Sequence, residues 1–376
     1  MSLDESVSAP PAIVTIEERP VAGPRRRRRR ALLVAIALLV VLIVAASVIR
    51  LPYFTLGPGA VRPTGSLISV DGGQIFPPEG GMAYTTVSVN GRINAWQALA
   101  GWLDPEVDIV NEDLILQGRS PKESQQVNLQ EMADSKDTAT NMALQHLGLA
   151  TPAGAEVVQV VDGSPAQQVL QPGDVITSVD GQPVTDSGDL VGAITSHKPG
   201  DVVELTLTRA PATGDGPRET ITVSATLGTN ENRPEEAFFG VRVQTWFDVT
   251  FPYPVTIDSG QVGGPSAGLA FTLGLIDELT PGELTGGEEV AATGTISPDG
   301  TVGPIGGLEH KVDAVRHAGV KLFLVPDSQT PEEMARAQAR TKGEVELVPV
   351  HDLDAALAAL AAHGGQPPGP VTLQAA

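Results

Sequence analysis

No cysteine occurs among the 376 residues, which excludes disulfides, a thiolate nucleophile and any cysteine-held metal. Histidine is scarce. The six present include no H-E-x-x-H spacing, and His310 and His317 stand seven apart on what reads as the solvent face of a helix, so neither metal nor cofactor is called for. The G-x-x-x-x-G-K-[ST] phosphate loop is also missing, so the sequence shows no machinery for ATP-driven work. Net positive charge is confined to one end. The net charge is −21, yet the first fifty residues carry eight arginines against four acids, leaving −25 beyond them. An acidic body of this kind repels phosphate backbones and argues against a nucleic-acid partner.

The arginines adjoin the longest apolar run. Ala31 to Ile49 holds no charge and one polar side chain, Ser47; as a helix it would extend about 28 Å, close to the thickness of a hydrocarbon core. Arg25 to Arg30 precede it, against only Arg50 and Arg62 in the twenty residues that follow. The positive-inside rule then puts the N-terminus in the cytoplasm and everything after Leu51 outside: a single-pass cell-membrane protein. A signal peptide cut near Ala45, Ala46 and Ser47, or a buried core helix, are the alternatives, although the run exceeds the usual signal-peptide length. Residues 1 to 24, rich in Pro, Glu and small residues, read as a disordered tail.

Beyond the membrane, Ser66 to Val70 and Tyr84 to Val89 alternate like strands between glycine turns. From Ser124 to Leu147 the apolar residues Leu129, Met132, Ala139, Met142, Ala143 and Leu147 recur at three and four, a helical pattern. No chemistry can be assigned to this region. A second module starts near Gly148: a β-branched run over Val157 to Val161, the turn Gly163-Ser164-Pro165-Ala166, then Leu170, Gly173-Asp174-Val175-Ile176 and Val179-Asp180-Gly181. A helix around Asp189 to Ser196 and a strand over Asp201 to Arg209 complete it. This order resembles a PDZ domain. The resemblance implies capture of a peptide strand beside the Asp189 to Ser196 helix, with a carboxylate-binding loop near Leu147-Gly148-Leu149. The strand expected straight after that loop is interrupted by Thr151-Pro152. A spacer or docking platform is the plainer use of such a module.

Gly263-Gly264-Pro265-Ser266-Ala267-Gly268 precedes Leu269 to Leu279, which is apolar on nearly every side and so reads as a buried helix. Ser266 then stands where free N–H groups and the positive end of the helix dipole favour an oxyanion. An ordinary N-cap serine is the alternative. A serine nucleophile needs a base. In the helix expected from Leu308 to Ala318, Leu308, Val312, Val315 and Ala318 form the apolar stripe, Glu309, His310, Asp313, Arg316 and His317 share the other face, and Lys311 falls among the apolar residues. Burial drives a lysine toward its neutral form, which can take a proton from a hydroxyl. A lysine whose stem covers apolar surface while its ammonium reaches water is the alternative.

Pro265-Ser266-Ala267-Gly268, then Ala292-Thr293-Gly294-Thr295-Ile296, then Pro304-Ile305-Gly306-Gly307-Leu308, Lys311 and Gly319-Val320-Lys321 up to Val325-Pro326 resemble, in order and spacing, the proteolytic domain of Lon proteases. The likeness implies Ser266 as nucleophile, Lys311 as general base and Thr293 as the hydroxyl that holds the amine. Two positions depart from the family pattern: Glu309 replaces the first of its two lysines, and Gly263 stands where some members carry an acid. With an anchor and a PDZ placed first, the chain resembles membrane-anchored PDZ and Lon-like proteases of bacteria.

The expected architecture is multidomain: a basic tail (1–30), a transmembrane helix (31–49), an α/β region of unassigned role (51–147), a β-rich PDZ domain with two helices (148–228), an α+β Lon-type proteolytic domain (238–360) and a flexible tail (361–376). The expected activity is ATP-independent endoproteolysis of unfolded or PDZ-recruited proteins, with ring assembly implied by the resemblance. Two rivals remain. Gly264 to Gly268 also fits the G-x-S-x-G elbow of α/β-hydrolases, with Asp299 and His310 downstream, and a membrane adaptor would recruit peptides without cleaving them.

Overall fold

The computed structural model describes residues 24–211, 216–230 and 233–371. The tail before residue 24 lies outside them. Helix α1 (Pro24–Val48) contains the apolar run and is, among the described residues, the one helix long and apolar enough to cross a membrane. After four intervening residues the chain enters β1 (Tyr53–Pro63), followed by β2 (Ile68–Val70), β3 (Gly81–Asn90), α2 (Ala95–Leu103), β4 (Asp108–Asn111), α3 (Glu112–Leu116) and α4 (Pro121–His146). Helix α4 is the one expected from the spacing of Met132, Ala139, Met142 and Ala143, all buried. Its start is set by a capping box between Ser120 and Glu123 with Pro121 in the first turn.

The PDZ-like stretch forms β5 (Ala150–Val160), β6 (Val175–Val179), β7 (Gln182–Pro183), α5 (Ser187–Ser196), β8 (Val202–Arg209) and β9 (Glu219–Thr226) around a core that includes Val157, Ile176, Leu190 and Leu205. A short ladder of β10 (Gly228–Thr229) and β11 (Ala237–Phe238) leads to β12 (Val241–Val249) and β13 (Val255–Ile257). Beyond these come α6 (Gly268–Leu279), β14 (Glu289–Ala292), β15 (Thr295–Ile296), β16 (Val302–Gly303), α7 (Leu308–Ala318), β17 (Leu322–Pro326), α8 (Pro331–Arg340), β18 (Glu346–Val350) and α9 (Leu353–Ala362).

Two features of the pairing were not legible in the sequence. First, the region of unassigned role is part of the last domain's sheet, whose order is β18-β17-β14-β3-β1-β4, with β3 parallel to β14 over Gly81–Tyr84 and Glu289–Ala292. Alternation sends Val290, Ala292, Leu322 and Leu324 to one face, under α4, α6 and α9, and Ala291, Phe323 and Val325 to the other, under α7 and α8. Second, β12 belongs to the PDZ sheet, ordered β12-β5-β6-β8-β9. Strand β5 runs unbroken through Thr151-Pro152, with a bulge opposite Trp246/Phe247, and both its edges are taken, by β6 and by β12. Helix α5 packs on β12 as well, the Ser187 N–H donating to Thr245 Oγ1 at 3.2 Å. The place beside β5 where the resemblance puts a partner strand is therefore filled by this chain. Among the described residues, an added strand on that side of the sheet finds the outer edge of β12.

Two smaller expectations are corrected. The polar face of α7 is a solvent face only at its end: His317 is exposed, but His310 and Asp313 are buried, because the β1–β4 layer and α8 cover them. His310 bonds the Glu106 carbonyl and Asp108, both at 3.2 Å. Asp313 lies between Arg316 and Arg340, each at 3.1 Å. The tail expected to be flexible from residue 361 is held as far as residue 371, through the Gln366 N–H on the Glu283 carbonyl (2.9 Å) and Val371 against the core.

Candidate active site

Ser266 lies two residues before α6, every residue of which is buried. The loop that carries it is clamped by α4. Gly264 donates its N–H to the Asn128 carbonyl (2.7 Å), and Ser135 Oγ donates to the Pro265 carbonyl (3.0 Å). A side chain at Gly263 would meet the Cβ of Asn128 at 2.8 Å, and Gly264 adopts φ +88°, so this approach requires glycine at both. From the other side the Ser266 carbonyl accepts from the Gly294 N–H (2.9 Å) and from Thr293 Oγ1 (3.0 Å). Backbone and hydroxyl together fix where Ser266 points.

Lys311, at the end of the first turn of α7, is 2% exposed. Its Nζ lies 2.9 Å from Ser266 Oγ, 3.1 Å from Thr293 Oγ1 and 2.9 Å from the Thr85 carbonyl. Burial, with no carboxylate at the amine, lowers its pKa from 10.5 to about 7. The fold explains how the amine enters. Strand β14 stops pairing with β3 at Tyr84, so Thr85 is the first residue past the ladder, and Thr293 follows the last residue of β14. The site therefore sits at the carboxyl end of a parallel pair, a usual location for sites in α/β sheets.

A cleft of about 630 Å³ opens onto the serine. Its apolar wall includes Phe54, Leu116, Leu129, Met132 and Val262, and its polar residues include Gln125, Asn128 and Gln261. All three residues singled out in the sequence, Ser266, Lys311 and Thr293, meet at one point. Thr85 was missed, because it contributes a backbone carbonyl that no residue type advertises. The hydrolase alternative is not assembled: His310 is engaged with Glu106 and Asp108, while the Asp299 carboxylate accepts from the Thr301 N–H.

Residues 131–225 match the family model of the PDZ domain, and residues 213–362 that of the Lon protease (S16) C-terminal proteolytic domain. The Lon protease of Roseiflexus castenholzii is 30% identical over 172 residues, 45% of this chain and 20% of that protein. That of Chloroflexus aggregans is 29% identical over 139 residues, 37% and 16% of the two chains. A probable periplasmic serine endoprotease, DegP-like, of Ectopseudomonas mendocina is 34% identical over 167 residues, 44% and 32%. Among solved structures, the PDZ domain of an SdrC-like protein from Listeria monocytogenes is similar at 25% identity, covering 24% of this chain and 87% of that one with a TM-score of 0.21. The chain thus carries a PDZ domain and a Lon-type proteolytic domain behind an N-terminal apolar helix. It spans less than a third of the length of these curated relatives.

Proposed function

We propose that the protein is an ATP-independent serine endopeptidase, anchored by α1 with its folded domains on the extracytoplasmic side, in which Ser266 is the nucleophile, Lys311 the general base and Thr293 a positioning hydroxyl. The observation that carries this reading is the 2.9 Å contact between Ser266 Oγ and an amine whose pKa burial brings to about 7. A neutral amine has two hydrogens and one lone pair. The hydrogens go to the Thr85 carbonyl and to Thr293 Oγ1, whose own hydrogen is spent on the Ser266 carbonyl. The lone pair is left for the serine proton. As Oγ attacks the peptide carbonyl carbon, Nζ takes that proton, and the ammonium then gives it to the departing amine. Water next attacks the acyl-enzyme, Nζ accepting its proton and returning one to Oγ. The oxyanion faces the N-terminal end of α6, and among the described residues no acceptor takes the Ser266 N–H.

The apolar cleft suits an extended segment with an exposed apolar side chain, as an unfolded protein presents. Recruitment through the PDZ domain would use the outer edge of β12. The test is incubation of the detergent-solubilised full chain with an unfolded protein, without nucleotide, beside Ser266→Ala, with products identified by mass spectrometry. Fragments from the wild type alone support the reading. Binding without cleavage by either would make the protein an adaptor.

A further inference from the structure

Helix α2, Ala-Trp-Gln-Ala-Leu-Ala-Gly-Trp-Leu, is inverted relative to a helix of a water-soluble surface. Its large apolar residues Trp96, Leu99, Trp102 and Leu103 are all exposed, Trp102 at 76% and Leu103 at 67%. At about 100° per residue they fall within one arc of roughly 120°, on the side away from Gly101. Gly101 is the one buried residue of the helix, and a Cβ there would touch side chains of Thr55, Val107 and Ile109 at 3.2 to 3.4 Å. The helix thus turns its smallest residue to the protein and its largest ones outward, and it carries no charge. An exposed set of this kind marks a contact with something apolar.

What covers it follows from where α2 is tied. Trp96 Nε1 donates to Ser47 Oγ (3.1 Å) and Asn94 Nδ2 to the Ser47 carbonyl (3.2 Å), and Arg50 bonds Gln97 (3.2 Å). Ser47 lies in the last turn of α1, so α2 starts level with the outer end of the apolar run. Only four residues separate α1 from β1, a reach of about 14 Å, which keeps the catalytic sheet at that level. Tryptophan is favoured at the lipid–water boundary, where its ring is apolar and its N–H is wet.

We propose that α2 lies in the outer lipid–water interface of the membrane that α1 crosses, holding the catalytic sheet against the bilayer at a second point. This rests on α1 being an anchor, and the test separates the two. The protein has three tryptophans, Trp96, Trp102 and Trp246, the last of them in β12 with Arg218 5.0 Å from its ring centroid. The full chain is reconstituted into phosphatidylcholine nanodiscs whose acyl chains are brominated near the headgroup. Trp246→Phe, which keeps the two α2 indoles, should lose roughly half or more of its emission relative to unbrominated discs, as expected for rings at interfacial depth. Trp96→Phe/Trp102→Phe, which keeps only Trp246, should lose almost none. Unquenched α2 indoles in protein that stays in the disc would overturn the proposal while leaving the anchor intact, and a blue-shifted, concentration-dependent emission would assign the face to a second copy instead. Release of the full chain from membranes by alkaline carbonate would remove the anchor and the proposal together.

Discussion

Raising the pH from 6 to 8 isolates the state of Lys311. With its pKa at about 7, the amine is neutral in roughly a tenth of the molecules at pH 6 and nine-tenths at pH 8, whereas an ordinary lysine is neutral in well under a hundredth at either. We therefore expect kcat/KM for a short peptide free of titratable groups to rise about tenfold per pH unit below 7 and to level off near 8. The same displacement acts on stability. Between about pH 7 and 10.5 the unfolded chain holds a proton that the folded one has released, so stability rises with pH across that window. Below 7 both states are charged and the folded one bears the full cost of the buried ammonium, a few kcal/mol by order of magnitude. Lys311→Met should accordingly gain most in stability over the wild type near pH 6, and its relative gain should shrink toward pH 10. Initial rates over pH 5.5 to 9 and urea melts of both proteins at pH 6 and 9 decide the matter. A flat rate profile in Ser266-dependent activity, or an inflection near 10, would refute the assignment of Lys311 as base.

Other outcomes follow from the same geometry. Ser266→Ala and Lys311→Ala should each abolish hydrolysis, the double variant should be no worse than either, and Lys311→Arg should be equally inactive because a guanidinium does not deprotonate, all read as kcat/KM at matched circular dichroism. Thr293→Val keeps the shape but frees one amine hydrogen and leaves the Ser266 carbonyl to the Gly294 N–H alone, and should cost about 10- to 100-fold in kcat with KM little changed. Asp313→Ala removes the carboxylate that Arg340 pairs with and leaves Arg316 to Glu106, and should lower stability by about 3 kcal/mol in denaturant melts.

Sequence legibility followed the reach of each signal. Helices α1, α4, α5, α6 and α7 were readable because their apolar patterning is local, as Met132 to Ala143 in α4 shows, whereas α2, α3, α8 and α9 were not singled out. Ser266, Lys311 and Thr293 were readable because a buried lysine on an apolar stripe is a local anomaly and because the three stand in a recognisable order. The partner of that anomaly was not: pairing of Gly81–Tyr84 with Glu289–Ala292 joins segments two hundred residues apart, and only this pairing brings Thr85 to the amine. The buried face of α7 was misread for the same reason, since the layer that covers His310 comes from the other end of the chain.

Strand β12 is held in two cores at once. Val241 and Val243 pack on the PDZ core, while Phe247 and Phe251, just beyond the bulge, are buried in the catalytic one. Any excision of residues 148–228 leaves this strand with a bare edge and uncovered valines, a template for self-association. The two domains are therefore not beads that can be cut apart at a linker. Tension applied to the PDZ domain, as by a tethered substrate, would run along one continuous strand into the core that carries Ser266.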